Sequence, residues 1–456
     1  MGMKKIAKRV VPVGVFKKAV PYWHLSKAVA NQTKAGFPAR GIEVIGVTGT
    51  DGKTTTSTLI TTILRNSGKK VAMMTTISVD FGDGKGPQPN PTRLTTFGAT
   101  ELVQSLQRMK REGVEYLVLE ITSHALSQFR TWGVPISVAV MTNVGHEHLD
   151  YHGTFENYRD AKRRLFKLTN KNKNGRQIGV INAEDPSANL FASDIAHPVL
   201  YGQNEGADLR ATNVKLTPAG STYTVQHDDD ELDITCNLPG SFNVYNSLAA
   251  VGAGLALGLS PRQIEEGIAS LHAVEGRMTK VDEGQDFSVI VDYAHTPESF
   301  EKIFAEVKPL TKKRLICVFG SAGRRDEAKR AKQGEIAGKW CDLVIVTEED
   351  DRDIDGEEIM QQIASGAEKS GKVLGKDVLT IHAREEAVQK AIDSATAGDL
   401  VVLLGKGHEK SILYNDPQAA ELRNLPQDDS DKRRVLKRPY DEVKVAQAAI
   451  KNRLHA

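Results

Sequence analysis

The chain has 456 residues, 26% of them charged, with 60 Lys and Arg against 58 Asp and Glu and a formal net charge of +2. A charge so evenly balanced leaves no electrostatic footprint for a nucleic-acid partner, and none is expected. The length suits about three domains of ordinary size. No apolar run approaches the roughly 18 residues a bilayer span needs. Cys236, Cys317 and Cys341 stand far apart, as buried thiols of a reducing compartment do, so a cytoplasmic location is expected.

Residues 1–42 carry nine Lys or Arg and no Asp or Glu. Lys17 and Lys18 interrupt the apolar stretch before a signal-peptide core could form. The segment suits peripheral contact with an anionic membrane or with a diphosphate, and a poorly ordered basic leader is the alternative.

Residues 43–59, EVIGVTGTDGKTTTSTL, run from a β-branched apolar stretch through a glycine-rich turn into an apolar-periodic segment. This is the layout of strand, phosphate loop and helix. Gly49 and Gly52 let successive amides turn inward as an anion-binding nest. Lys53 offers a charge to the β- and γ-phosphates, Thr54 a hydroxyl to Mg²⁺, and the helix aims its positive end at the same place. Gly49, Thr50, Gly52, Lys53, Thr54 and Thr55 are thus candidates for ATP binding. The usual spacing puts the first glycine at Val47, whereas this chain has Gly46. A chance glycine turn is the alternative, weakened by the coincidence of strand, Gly-Lys-Thr and helix.

A helix over 54–66 and a strand over 71–77 make a β–α–β unit of a parallel sheet. A Gly/Pro-rich loop over 80–93 follows, and Thr95-Thr96 precede an amphipathic helix to about 113. Strands over 116–121 and 136–141 then deliver Glu120 and the group His146, Glu147, His148 and Asp150 at their carboxyl ends, where open α/β sheets bind ligands. Glu120 suits the oxygen-loving Mg²⁺. His148 is a less usual ligand for so hard an ion, and a hydrogen-bonded histidine under a loop is the alternative. A helix over 155–168 carries Lys162, which spacing alone reads as solvated. Alternating short strands over 209–237 predict an extra sheet on the central domain. Asn246 sits one turn inside a helix from about 240 to 258, where capping or packing work is the alternative.

A second α/β pattern begins after Glu275-Gly276-Arg277. Strand ends there deliver Asp292, the acidic run from Glu348 to Asp351, and Gly405-Lys406-Gly407-His408-Glu409. Residues 415–432 read as a loop before a charged helix from about 440. The fold class is therefore α/β, with a central P-loop-type parallel sheet domain over 43–274 and a Rossmann-like α/β domain over 275–456, preceded by the basic segment 1–42.

The motifs GVTGTDGKTTT, LEITSHALSQFR, TNVGHEHLDYHGT, AKRRLF, GSFNVYN, VEGRM, DYAHTP and GKGHE, in this order across about 43–409, resemble the Mur ligases. Within that family they look most like the MurE type, which adds a diamino acid to UDP-N-acetylmuramoyl-L-alanyl-D-glutamate. SHAL together with DYAHTP separates the chain from the folylpolyglutamate and cyanophycin synthetases.

The resemblance implies an ATP- and Mg²⁺-dependent amide ligase of peptidoglycan precursor synthesis, working through an acyl phosphate; separately, a monomer is expected. It implies catalytic roles for Lys53, Glu120, His148 and Lys162, metal binding by Thr54, Glu120, His148 and Lys162, and carbamylation of Lys162. Thr95, Thr96, Thr122, Gln128 and Arg130 would hold the muramoyl dipeptide. Asn246, Arg277 and Asp292 would face the nucleotide, and Arg352, Gly405 and Glu409 the incoming amino acid.

Three departures stand out. Asp51 replaces the family's usual Asn. Glu349-Asp350-Asp351-Arg352 replaces the DNPR-like specificity motif, leaving lysine, meso-diaminopimelate and ornithine open. Only about forty residues precede the phosphate loop, so either a reduced basic segment grips UDP or the carboxylate substrate is non-standard or lipid-linked. A nucleotide-binding subunit without catalysis is a third reading, opposed by Lys53, Glu120, His148 and Lys162.

Overall fold

The structure is a computed structural model that describes residues 13–92, 94–217, 219–228, 230–324, 327–352, 354–415 and 435–455. The first twelve residues of the basic segment, part of the loop after residue 320 and most of the loop over 415–432 lie outside these. The chain divides near residue 272 into two compact units. Among the described residues, no helix is long and apolar enough to cross a membrane.

The first unit opens with helix α1, Val13–Lys34, in a region read from sequence only as a basic segment. Its second half packs through Ala28 and Gln32, each 1% exposed, and Asn31 donates to Thr100. Strand β1, Glu43–Thr48, then enters the centre of an 11-stranded sheet. Strands Tyr116–Glu120 and Ile136–Met141 flank it, both parallel to it. Val44, Ile45 and Val47 are fully buried, as a central parallel strand covered on both faces requires. Gly46 is a strand residue, not a loop residue. A Cβ there would come within 2.9 Å of Leu165 and 3.0 Å of Ile121, so this glycine serves helix–sheet packing.

The stretch over 209–237 forms strands Leu209–Thr217, Gly220–His227 and Asp230–Cys236, which correct the expectation of a separate extra sheet. The first pairs in parallel with His197–Gly202 through Tyr201↔Leu209 and Gly202↔Arg210. The two hairpin partners follow antiparallel. An existing strand edge captured them, so they extend the main sheet.

The second unit holds a six-stranded sheet. Strand Ser288–Asp292 pairs in parallel with Leu400–Leu404, which pairs with Leu315–Phe319, then Leu343–Val346 and Val378–Thr380. Thr279–Val281 closes one edge antiparallel. Helices Pro297–Val307, Ala328–Trp340, Gly356–Lys369 and Arg384–Ser394 connect these strands. The expected terminal helix is Glu442–His455. Buried Arg384 ties it to the sheet, bonding Glu442 Oε2 at 2.9 Å, Leu404 O at 2.6 Å and Glu348 O at 3.0 Å. All three cysteines are free and buried.

Candidate active site

In the first unit, β1 ends at Thr48 and helix Lys53–Asn66 starts immediately after Gly52, whose φ of 79° is the left-handed conformation glycine adopts without strain. The intervening loop is clamped from the neighbouring strand end. Asn143 O accepts from Thr50 N at 2.9 Å, and Asn143 Oδ1 accepts from Asp51 N at 2.9 Å. Thr142 Oγ1 donates to Asp51 O at 2.6 Å. A Cβ at Gly49 would collide with Thr142, and one at Gly52 with the Asn246 amide. Two of the proposed nucleotide residues, Gly52 and Asn246, therefore meet directly. Asn246 Nδ2 is held by Asn243 Oδ1 at 2.8 Å, so the packing role and proximity to the loop coexist. Lys53 Nζ donates across the loop to Thr50 O at 2.8 Å, and Thr55 is buried in the first helical turn.

Glu120 stands at the carboxyl end of its strand, 1% exposed. Its carboxylate accepts from Thr54 Oγ1 at 2.9 Å, Thr76 N at 3.0 Å and Thr76 Oγ1 at 3.0 Å. The acidic oxygen and the phosphate-loop hydroxyl thus form one pair of hard donors. The same network reaches outward. Thr76 Oγ1 bonds Thr95 Oγ1, while Thr96 Oγ1 donates to Glu120 O and accepts from Thr122 N, each at 3.0 Å. Arg130 donates to Thr96 O at 2.9 Å and twice to Gln128 Oε1. Burial lowers the Arg130 pKa from its ordinary value, opposed by the tyrosine and glutamate beside it. The five residues expected to hold the dipeptide are therefore one connected surface beside Glu120.

Lys162, which spacing alone read as solvated, is 2% exposed. It lies on helix Phe155–Lys171, whose N-terminus Thr154 caps through Asn157 N. Lys162 Nζ donates to Gly49 O at 2.5 Å and lies 4.5 Å from the centre of the Tyr158 ring. Burial first, then the nearby Lys53 ammonium, drives its pKa well below that of an ordinary lysine, against the pull of Glu147, Asp51 and Glu120. The shift favours the neutral amine, the form that attacks carbon dioxide. His148, at φ 56°, belongs to a group of rings. It lies 4.7 Å from His124 and 6.0 Å from Tyr158, with its Nε2 3.6 Å from Glu147 Oε2. Tyr158 OH in turn bonds Thr50 Oγ1 at 3.0 Å, so the ring group borders the loop.

In the second unit, Asp292 closes a turn, its Oδ2 accepting from Met278 N and its Oδ1 from Ala294 N, both at 2.7 Å. The Arg277 guanidinium lies 5.1 Å from the Tyr293 ring centre, and its buried Nε has no hydrogen-bond partner among the described residues. Gly405, at φ 100°, lets the backbone pass against Glu349; a Cβ there would meet Glu349 Oε2 at 2.8 Å. Arg352 N donates to Leu413 O at 2.9 Å and Leu413 N to Asp350 Oδ1 at 3.0 Å, so Arg352, Gly405 and Glu409 sit in one neighbourhood. Fully buried Lys406 bonds both Asp350 Oδ1 at 3.0 Å and Glu409 Oε2 at 2.7 Å. Burial raises the Glu409 pKa against the pull of Lys406. Burial, then Arg277, pushes His408 down to about 3, which keeps it neutral.

Sequence reasoning missed Thr76 and Lys406 as site residues. The Thr75-Thr76 doublet after a strand is a signal for the first. A lysine amid a motif facing an acidic run is a signal for the second.

Two family models match the chain: the Mur ligase middle domain over residues 47–254 and the Mur ligase glutamate ligase domain over 276–407. The chain is 42% identical over 429 residues to the UDP-N-acetylmuramyl-tripeptide synthetase of Roseiflexus sp., covering 91% of this chain and 84% of the relative. It is 37% identical over 452 residues to the UDP-N-acetylmuramoyl-L-alanyl-D-glutamate--2,6-diaminopimelate ligase of Geobacillus kaustophilus, covering 98% and 87%. A solved structure of a ligase with that same description superposes with a TM-score of 0.61 at 29% identity, covering 91% of this chain and 79% of the other.

Proposed function

The chain belongs to the Mur ligase family, and we propose from this that it is an enzyme of the MurE type, joining a diamino acid to UDP-N-acetylmuramoyl-L-alanyl-D-glutamate at the expense of ATP. The γ-phosphoryl group passes to the substrate carboxylate, giving ADP and an acyl phosphate. The amine then attacks the acyl carbon, phosphate leaves with its bonding electron pair, and the nitrogen loses a proton as the amide forms. The observation that carries this reading is Glu120, buried at a parallel strand end and hydrogen-bonded at once to the phosphate-loop Thr54 and to Thr76.

Two anions must meet for phosphoryl transfer, so the chain has to supply positive charge and fixed donors. The amides from Gly49 to Thr54 and the Lys53 ammonium hold the phosphates, and Thr50, Thr55 and Asn246 frame them. Thr95, Thr96, Thr122, Gln128 and Arg130 orient the carboxylate substrate. In the second unit, Arg277 and Asp292 serve the nucleotide, with Asp292 toward the ribose, while Arg352, Gly405 and Glu409 serve the amino acid. The Thr54 hydroxyl and Glu120 carboxylate are a donor set that fits Mg²⁺, with His148 and a carbamylated Lys162 as further ligands. Held by these residues, such an ion would supply positive charge against that of the phosphates. Residues 43–274 and 275–456 are the two working domains, and the enzyme acts as a cytoplasmic monomer.

The test is phosphate release from ATP with UDP-muramoyl-dipeptide and, in turn, lysine, meso-diaminopimelate and ornithine, with Lys53→Ala as control. Release that depends on a diamino acid and vanishes in the control supports the reading. Absence of release with all three amino acids refutes it.

A further inference from the structure

Outside the residues assigned above, the second unit brings together a histidine and two carboxylates. Glu348 and Asp351 follow strand Leu343–Val346, and His382 follows Val378–Thr380, its parallel neighbour. The backbone locks the two loops together, since Glu348 N donates to His382 O at 3.3 Å and Thr347 Oγ1 to the same oxygen at 3.0 Å. One donor atom from each of the three residues lies within 4.8 Å of the others. We propose that Glu348, Asp351 and His382 form a site for a single divalent transition-metal ion, separate from the nucleotide's magnesium.

Geometry supports this first. His382 Nε2 and Asp351 Oδ2 are 3.0 Å apart. Two adjacent ligands of an octahedral ion, each bound at about 2.1 Å, are separated by about 3.0 Å. That separation is at present the His382–Asp351 hydrogen bond, which an ion would replace with the two ligand atoms nearly where they stand.

The second observation is independent of that spacing. Glu348 is 2% exposed, and its Oε1 accepts from Arg384 N at 3.1 Å and from Arg438 Nη2 at 2.8 Å. Its Oε2 is buried and makes no hydrogen bond by geometry among the described residues, although the Tyr414 hydroxyl lies beside the same carboxylate; a buried carboxylate oxygen left this way is destabilising unless something takes its lone pairs. One oxygen oriented by an arginine and a backbone amide, with the other left to bind, is how outer partners hold a ligating carboxylate. Arg438 offsets part of the local negative charge. Asp350 is neutralised by Lys406 and Arg384 by Glu442, so Glu348 and Asp351 keep a net negative charge between them. Helix residue Gly356 borders the pair closely; a Cβ there would lie 2.6 Å from His382 Nε2, so the site needs glycine at this point. Mixed nitrogen and oxygen donors favour Zn²⁺ or Mn²⁺ over Ca²⁺.

The experiment is calorimetric titration of the full chain, without nucleotide, with Zn²⁺ and separately with Mn²⁺, comparing wild type with His382→Gln and Asp351→Asn. His382 is half-exposed, and glutamine keeps a donor toward Asp351, so the first variant is expected to fold. Circular dichroism verifies this. The expected result is one fewer equivalent bound, or at least a tenfold weaker affinity, in both variants. A wild-type melting temperature that rises with the ion while that of His382→Gln does not is the second expected result. Equal stoichiometry and affinity in wild type and variants overturns the proposal, as does absence of binding by wild type at millimolar ion. Loss of the same equivalent in a His124→Gln, His148→Gln double variant would assign the binding to the first unit's rings and also overturn it.

Discussion

Replacing Lys162 with methionine nearly keeps the side-chain volume, removes the amine and exchanges one methylene for a thioether sulfur. Within the fold, that amine has one hydrogen bond, to Gly49 O at 2.5 Å, and a ring neighbour in Tyr158. A hydrogen bond from a charged donor contributes about 1.5–3 kcal/mol. Desolvating an ammonium ion costs several kcal/mol even after relaxation. The lowered lysine pKa, caused first by burial, means that the fold disfavours the charged amine. The methionine variant should therefore melt no lower than wild type. Its turnover should fall by about 10²–10³, or about 3–4 kcal/mol of transition-state stabilisation, the usual effect of deleting one preorganised polar group from a charge-developing site. The measurement pairs diamino-acid-dependent phosphate release with thermal unfolding of the same preparations. Because burial favours the neutral amine, the form that attacks carbon dioxide, wild-type activity should also rise with bicarbonate, and Lys162→Ala should recover partly in a small carboxylate. Activity within about threefold of wild type would refute the catalytic role. Activity and melting temperature falling together would mean that the amine serves the fold.

Glu120→Gln places an amide donor against Thr54 Oγ1 or Thr76 N; turnover should fall by about 10²–10³, measured at saturating ATP with a parallel Mg²⁺ titration. In the second unit, burial opposes ionisation of Asp399. The Arg314 guanidinium and two backbone amides nevertheless hold its pKa down to about 2, below the ordinary 3.8. Its stabilisation is complete above about pH 4 and is lost as pH falls through about 2, so Asp399→Asn should cost about 2 kcal/mol at pH 7. In urea unfolding, the gap between wild type and variant should close on acidification from pH 4 to pH 2; a constant gap would refute the linkage. Residues 1–42 should bring the protein down with vesicles of anionic phospholipid at low salt and not with zwitterionic ones, through exposed Tyr22, Trp23 and Lys27 and the excess of basic residues. A Trp23→Ser, Lys27→Glu variant that still pellets would count against that surface.

The strand, glycine turn and helix at residues 43–66 were legible in the sequence because their chemistry is local: Gly52 must bend backward, Lys53 and Thr54 must come directly after it, and β-branched residues must precede it. The strand ends carrying Glu120, Asp292 and Gly405 were legible for a related reason. Parallel strands buried on both faces are written as short apolar runs, and the polar residues at the carboxyl end of each run stand at the ligand-binding edge. Spacing could not show that Lys162 is buried, since that depends on which strand its helix covers. The sequence likewise pointed to an extra sheet over 209–237 where the strands extend the main one, because alternation describes a strand's faces and not its neighbour. Thr76 on Glu120, Lys406 between Asp350 and Glu409, and His382 beside Asp351 join residues 3 to 56 positions apart. All but the Lys406–Glu409 pair depend on the order in which parallel strands were laid side by side. That order is set by crossover helices and edge pairing, and only the tertiary structure decides it.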